Sequence, residues 1–155
     1  MLGYIEDIID QVVSVIKHGS YDRKPADVYK NLIPTHLAND QDFVIVVNPA
    51  GVEDVKTTRC HWQKTVEVRV IIRDYIPVRG DANIDNGQSS EAEDMITVCQ
   101  QVKDELIDQG TRIDTLDNKV FTLSAITHSP LYDYSALLED STFISVISLT
   151  YEGFV

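Results

Sequence analysis

The residue types that carry out chemistry are present in this sequence, but their spacing does not assemble a site. Four histidines, His18, His36, His61 and His128, are scattered, and none forms HxH, HxxxH or HExxH. His61 follows Cys60 directly, and adjacent strand residues point to opposite faces, so one metal cannot easily take both. A serine nucleophile needs a base, an orienting acid and often a GxSxG turn. The nearest Gly-Ser pair, Gly19-Ser20, falls where a helix should stop. Neither GxGxxG nor GxxxxGK[ST] occurs, so no phosphate cradle is expected. Adjacent acids recur at Glu6/Asp7, Glu53/Asp54, Glu93/Asp94, Asp104/Glu105 and Glu139/Asp140. On helices such neighbours are normally solvated, and a glycosidase pair would need a cleft that sequence cannot supply. The expectation is therefore no catalytic residue, no metal ligand, no cofactor and no enzyme.

A second group of residues suits contact rather than catalysis. Glu67, Arg69 and Arg73 share one face of a long strand. That face reads either as solvated or as a subunit contact, since arginine is enriched at interfaces. Arg79-Gly80-Asp81 matches a cell-adhesion tripeptide, but its plain reading is a charged turn in a polar loop. Trp62, the only tryptophan, reads as core filling ahead of a binding hot spot. Tyr151 and Phe154 lie near the last residue and either tuck into the core or reach a neighbour. The candidate subunit interface is thus Glu67, Arg69, Arg73, Arg79, Asp81, Tyr151 and Phe154.

Composition narrows the partners. The 155 residues suit one domain, 1–155, and 43% are hydrophobic, which rules out disorder of the whole chain. Thirteen Lys+Arg against 25 Asp+Glu give a net charge of −12. Nucleic-acid affinity comes mostly from clustered bases that release counterions, so specific DNA or RNA binding is disfavoured. An anionic membrane would also repel this chain, and no apolar run approaches the roughly 20 residues of a membrane span. Cys60 and Cys99 form no CxxC pair and read as two reduced thiols, at least one of them buried. The first residues carry acids and no basic region, unlike a signal peptide.

The elements that must position these residues follow from periodicity. Leu2, Ile5, Ile8, Ile9, Val12, Val13 and Ile16 repeat at helical spacing, with acids early, Lys17 and His18 late, and Gly19 as the stop. A short helix is expected from Pro25 to Leu32. Residues 43–47 read as a buried strand that ends in a turn at Asn48-Pro49-Ala50-Gly51. Residues 61–75 form the clearest strand. Residues 77–90 read as a mobile polar loop. Ser90 with Glu93 makes a capping box that opens a helix running to Gln109. Strands are expected at 119–127 and 142–151, joined by 129–141. The expected fold is α+β, a mostly antiparallel, four-stranded or slightly larger sheet with two main helices on one face. Its order is α-(short α)-β-β-α-β-β.

This layout resembles the tail terminator proteins of long-tailed bacteriophages and the neighbouring head–tail neck proteins. The resemblance rests on the Leu2–Ile16 helix, the Thr65–Tyr75 strand, the Ser90–Gln109 helix and the Thr142–Tyr151 strand. It is one of pattern, since the family has no diagnostic short motif. It implies a virion structural protein of the tail or neck, made in the host cytoplasm. Such a protein forms a hexameric ring that ends tail-tube polymerisation and joins tail to neck. Its partners would be copies of itself, the tail-tube protein and neck or connector proteins. DNA would pass through without specific binding, and no membrane is involved. A head-completion or neck connector on the portal side remains open, as do a generic intracellular adaptor and a small enzyme with an unfamiliar site.

Overall fold

The computed structural model describes residues 3–31, 43–76 and 88–154. Among them, helix α1 (Tyr4–His18) buries Ile8, Ile9, Val12 and Ile16, one stripe of its helical repeat. Glu6 and Asp7 in its first turn and Lys17 and His18 in its last turn complement the helix dipole. The Gly19 amide donates to the Ile16 carbonyl at 3.2 Å and tightens the exit.

Strand β1 (Asp27–Lys30) is followed by β2 (Val44–Lys56) and β3 (Trp62–Tyr75). Helix α2 (Gln88–Gln109), β4 (Arg112–Asp114), β5 (Val120–Thr127), α3 (Tyr134–Asp140) and β6 (Thr142–Phe154) complete the order. The strands form one sheet in the order β1-β2-β3-β6-β5-β4. Among the described strands only β1 and β2 run parallel, and the other pairs are antiparallel. Alternation places Val66, Val68, Val70 and Ile72 of β3 on one face, beside Phe143, Ile147, Leu149 and Tyr151 of β6. The apolar stripes of α1 and α2 pack on that face, with Met95, Val98, Val102 and Leu106 buried on α2.

The sheet curls into a half-barrel, and α1 touches both of its edges. On one side Lys30 of β1 reaches Glu6 and Asp10, each at 2.9 Å. On the other, the Gln11 side chain donates to the Asp114 carbonyl, and the Leu116 amide donates to Asp7 at 3.1 Å. Near the end of β6 the packing requires a glycine. A Cβ on Gly153 would lie 2.8 Å from both Phe121 Cδ1 and the Val120 carbonyl. The Phe121 ring in turn stacks on Tyr4 of α1 at 5.4 Å.

This architecture corrects the expected one. Among the described residues the sheet has six strands, is mixed and curled, and is accompanied by three helices, in place of a mostly antiparallel, four-stranded or slightly larger sheet with two main helices packed on one face. The edge strands β1 and β4 are four and three residues long, too short to show a period of two. The short helix expected from Pro25 is strand β1, and Leu32 lies outside the described residues. There Val28 and Tyr29 pair with Ile45 and Val46, and this ladder overrides the local helix signal. Asn48-Pro49-Ala50-Gly51 is no turn; β2 continues through it to Lys56 with a bulge between Pro49 and Gly51. The Val47 carbonyl points outward to the Asn31 amide at 3.0 Å. Two residues on, Pro49 has its nitrogen on that same outer edge, past the end of β1, where a missing donor breaks no ladder.

Smaller differences have local causes. Helix α2 starts at Gln88, so Ser90 lies within it and is not its cap. Residues 77–87 of the expected loop lie outside the described residues. The 129–141 connection contains α3, whose Asp133 accepts from the Ala136 amide at 3.1 Å as N-cap. The last strand runs on to Phe154.

Candidate functional site

The feature that no core requirement explains is the outer half of the β2–β3 hairpin. β1 accompanies β2 only to Val47, and β6 accompanies β3 only from Gln63. Beyond Val47, β2 runs as an outer edge against β3 as far as Lys56 opposite Trp62, while β3 keeps β6 on its other side up to Gln63, so among the described residues only the Lys56–Trp62 pair and the bend between them project past the sheet. Every residue from Gly51 to Trp62 is exposed. The bend holds itself together: the Thr57 and Thr58 amides donate to the His61 carbonyl at 3.1 and 3.3 Å. The Thr58 hydroxyl lies 3.0 Å from His61 Nδ1. At the base, Lys64 lies 3.1 Å from Asp54 and 5.4 Å above the Tyr4 ring, which ties the arm to α1.

The arm displays apolar groups on both faces. Register puts Val52 and Trp62 on the face shared with Val66, and Trp62 is 44% exposed. Lys56 lies over the indole at 5.9 Å. Val55, Gln63 and Phe154 line up across three strands on the opposite face, and Phe154 is 62% exposed. An exposed tryptophan beside a cation is the kind of group that anchors protein interfaces. Its expected role as core filling is therefore corrected: β6 pairs with β3 only as far as Gln63, and the indole beyond it stays exposed to solvent.

The other candidate residues fall in three places. Glu67, Arg69 and Arg73 do share a face, the one opposite α1 and α2. Arg69 pairs with Glu67 at 3.8 Å, both groups exposed, and Arg73 is half-buried. Tyr151 is fully buried and belongs to the core, so it is not available to a partner. Arg79 and Asp81 lie outside the described residues. Only Phe154 joins the arm.

Among the described residues, chemistry-bearing groups come together at His128, Ser145 and Cys99. The Ser145 hydroxyl donates to the Leu131 carbonyl at 2.6 Å, and His128 Nε2 meets the same hydroxyl. Burial pushes the Cys99 thiol up to about 11, against the weaker effect of the Ser145 hydrogen bond. It therefore stays protonated and a poor nucleophile. Burial also lowers the His128 value. Among the described residues, these three line none of three surface grooves of about 500, 440 and 440 Å3. Sequence offered no signal for this group, because its members are far apart in the chain. Cys60 is free and exposed at the arm tip, while Cys99 is free and buried.

Among the described residues no group of three or more His, Cys, Asp or Glu is placed to hold a metal. No described helix is long and apolar enough to cross a membrane. No protein-family model matches this chain, and no curated protein matches it in sequence.

Proposed function

We propose that this chain is a structural assembly protein of a phage tail, forming a ring that ends tail-tube growth and joins tail to neck. The observation that carries the reading is the exposed arm from Gly51 to Trp62, which displays Val52, Val55 and Trp62 to solvent. A sheet edge and its bend gain little from exposing such groups, whereas a neighbouring subunit can bury them. The net charge of −12 supports a channel that duplex DNA passes without sticking. The His128–Ser145–Cys99 group, with its thiol held protonated by burial, supports an assembly role over catalysis.

Electron microscopy of the purified chain tests this reading. Rings with a central hole wide enough for duplex DNA are expected. A particle that stays monomeric at every concentration, even with tail-tube protein supplied, would overturn it. Co-sedimentation separates the two positions along the particle. Capture of tail-tube protein marks the terminator, and capture of portal or adaptor protein marks the portal-side connector.

A further inference from the structure

We infer that the arm of one copy docks on the C-terminal turns of α2 in a second copy. This rests on the ring reading above and names the surfaces that would build the ring. The tip of the arm and its β3 side are the basic part of an acidic protein, whereas Glu53 and Asp54 stand on its β2 side. From Val55 to Val66 the chain holds Lys56, Arg59 and Lys64 and no acid, so the remainder carries −15 (−12 less +3). Lys64 is matched by Asp54, but Lys56 and Arg59 make no ion pair among the described residues. The arm tip therefore presents an indole with Lys56 over it and Arg59 in the same bend.

The matching surface must be acidic, unneutralised and partly apolar. Much of the body fails that test. Glu6 and Asp10 are met by Lys30, Asp74 by Arg23, and Asp114 by Arg112. Helix α2 differs in its C-terminal turns, with Asp104, Glu105 and Asp108 against Lys103 alone. Its last turn holds no base, although a helix C-terminus favours cations. Asp104, Glu105 and Asp108 make no ion pair among the described residues. Asp104 and Asp108 stand one turn apart, with Ile107 beside them and 45% exposed. An isoleucine flanked by acids thus matches a tryptophan accompanied by bases.

The contact joins two different surfaces, so it is heterologous. It repeats head to tail and closes into a ring when the rotation between copies allows, whereas a self-complementary patch would stop at a dimer. Duplex DNA is the weaker occupant for the same tip. Two unmatched cations on a chain of −12 offer little counterion release.

Sedimentation velocity of the full chain at 50 and 500 mM salt tests this, with three variants: Lys56→Glu/Arg59→Glu, Asp104→Lys/Asp108→Lys, and all four changes together. These residues are on the surface, and circular dichroism checks that each variant is folded. The wild type should assemble, more tightly at low salt. Each double variant should weaken association at least tenfold, and the fourfold charge swap should restore it. Wild-type assembly unchanged by the tip reversal would overturn the docking while leaving the ring reading in place. Dissociation by the tip reversal without rescue by the swap would overturn the α2 assignment. A monomeric wild type would overturn both. Tip-dependent binding of a short DNA duplex by an unassembled chain would assign the arm to nucleic acid and overturn the docking.

Discussion

The Tyr151 hydroxyl donates to the Gly110 carbonyl at 2.8 Å, so the last strand is bonded to the exit of α2 across 41 residues of sequence. Both groups are buried. Gly110 also tucks against the preceding turn, with its amide 2.9 Å from the Leu106 carbonyl. The C-terminal end of α2 is thereby fixed against β6.

Tyr151→Phe should remove that bond, leave a buried carbonyl unsatisfied, and cost about 1–3 kcal/mol. Urea unfolding measures the loss. Self-association of the folded variant should be unchanged, because the side chain faces the core. A variant as stable as wild type would show that the bond carries no net weight.

The Arg23–Asp74 pair should give a pH-dependent variant. Asp74 is buried on β3, where the Arg23 guanidinium forks onto it, with one contact at 3.1 Å, and the Tyr75 amide donates to it at 2.9 Å. Burial raises its carboxyl above the ordinary 3.8, against the downward pull of Arg23. A raised folded value means that the contribution is full below the unfolded value and is lost as pH rises through the folded one. Arg23→Ala removes the counter-charge and lifts that value further. Its deficit should therefore be about 2–3 kcal/mol near pH 7 and smaller near pH 4. Chemical unfolding at both pH values decides this. An equal deficit at both would show that the guanidinium acts through its packing over Phe43, 5.3 Å away, and not through charge.

His128 should titrate below the ordinary 6.5. Burial lowers its value first; the Leu131 carbonyl pulls it up, and Lys103 lowers it further. Its Nδ1 is buried with no hydrogen-bond partner, so a second proton would find no acceptor. A depressed folded value contributes stability that is present above the unfolded value and is lost as pH falls through the folded one. The proton spectrum of the ring should show a midpoint under 6.5, and the stability loss below that pH should flatten in His128→Asn. A midpoint at or above 6.5 would contradict the burial argument.

The two thiols should separate by accessibility. An aromatic disulfide reagent should label Cys60 rapidly in the native protein. Cys99 should react only on unfolding, since it is buried and its thiol is pushed up to about 11. Titration should count one fast thiol in buffer and two in guanidinium. Two fast thiols in buffer would place Cys99 at the surface.

Local pattern alone determined much of this protein. The apolar spacing in α1, the alternation along β3 and β6, and the stripe of Met95, Cys99, Val102 and Leu106 on α2 each state their own structure. These periods repeat over enough residues to outweigh chance, and each element buries the face its pattern marks. Tertiary structure decided the rest. β1 and β4 are too short to carry a period, and they exist only because longer neighbours offer them a ladder. Pro49 reads as a breaker in isolation but is tolerated on an edge that needs no donor. Trp62 and Tyr151 exchanged their expected places, the tryptophan going to the exposed arm and the tyrosine to the core. Nothing within either residue's own neighbourhood distinguishes them. Their burial depends on where β6 ends against β3, a register between segments some 90 residues apart, set by close packing across the whole sheet.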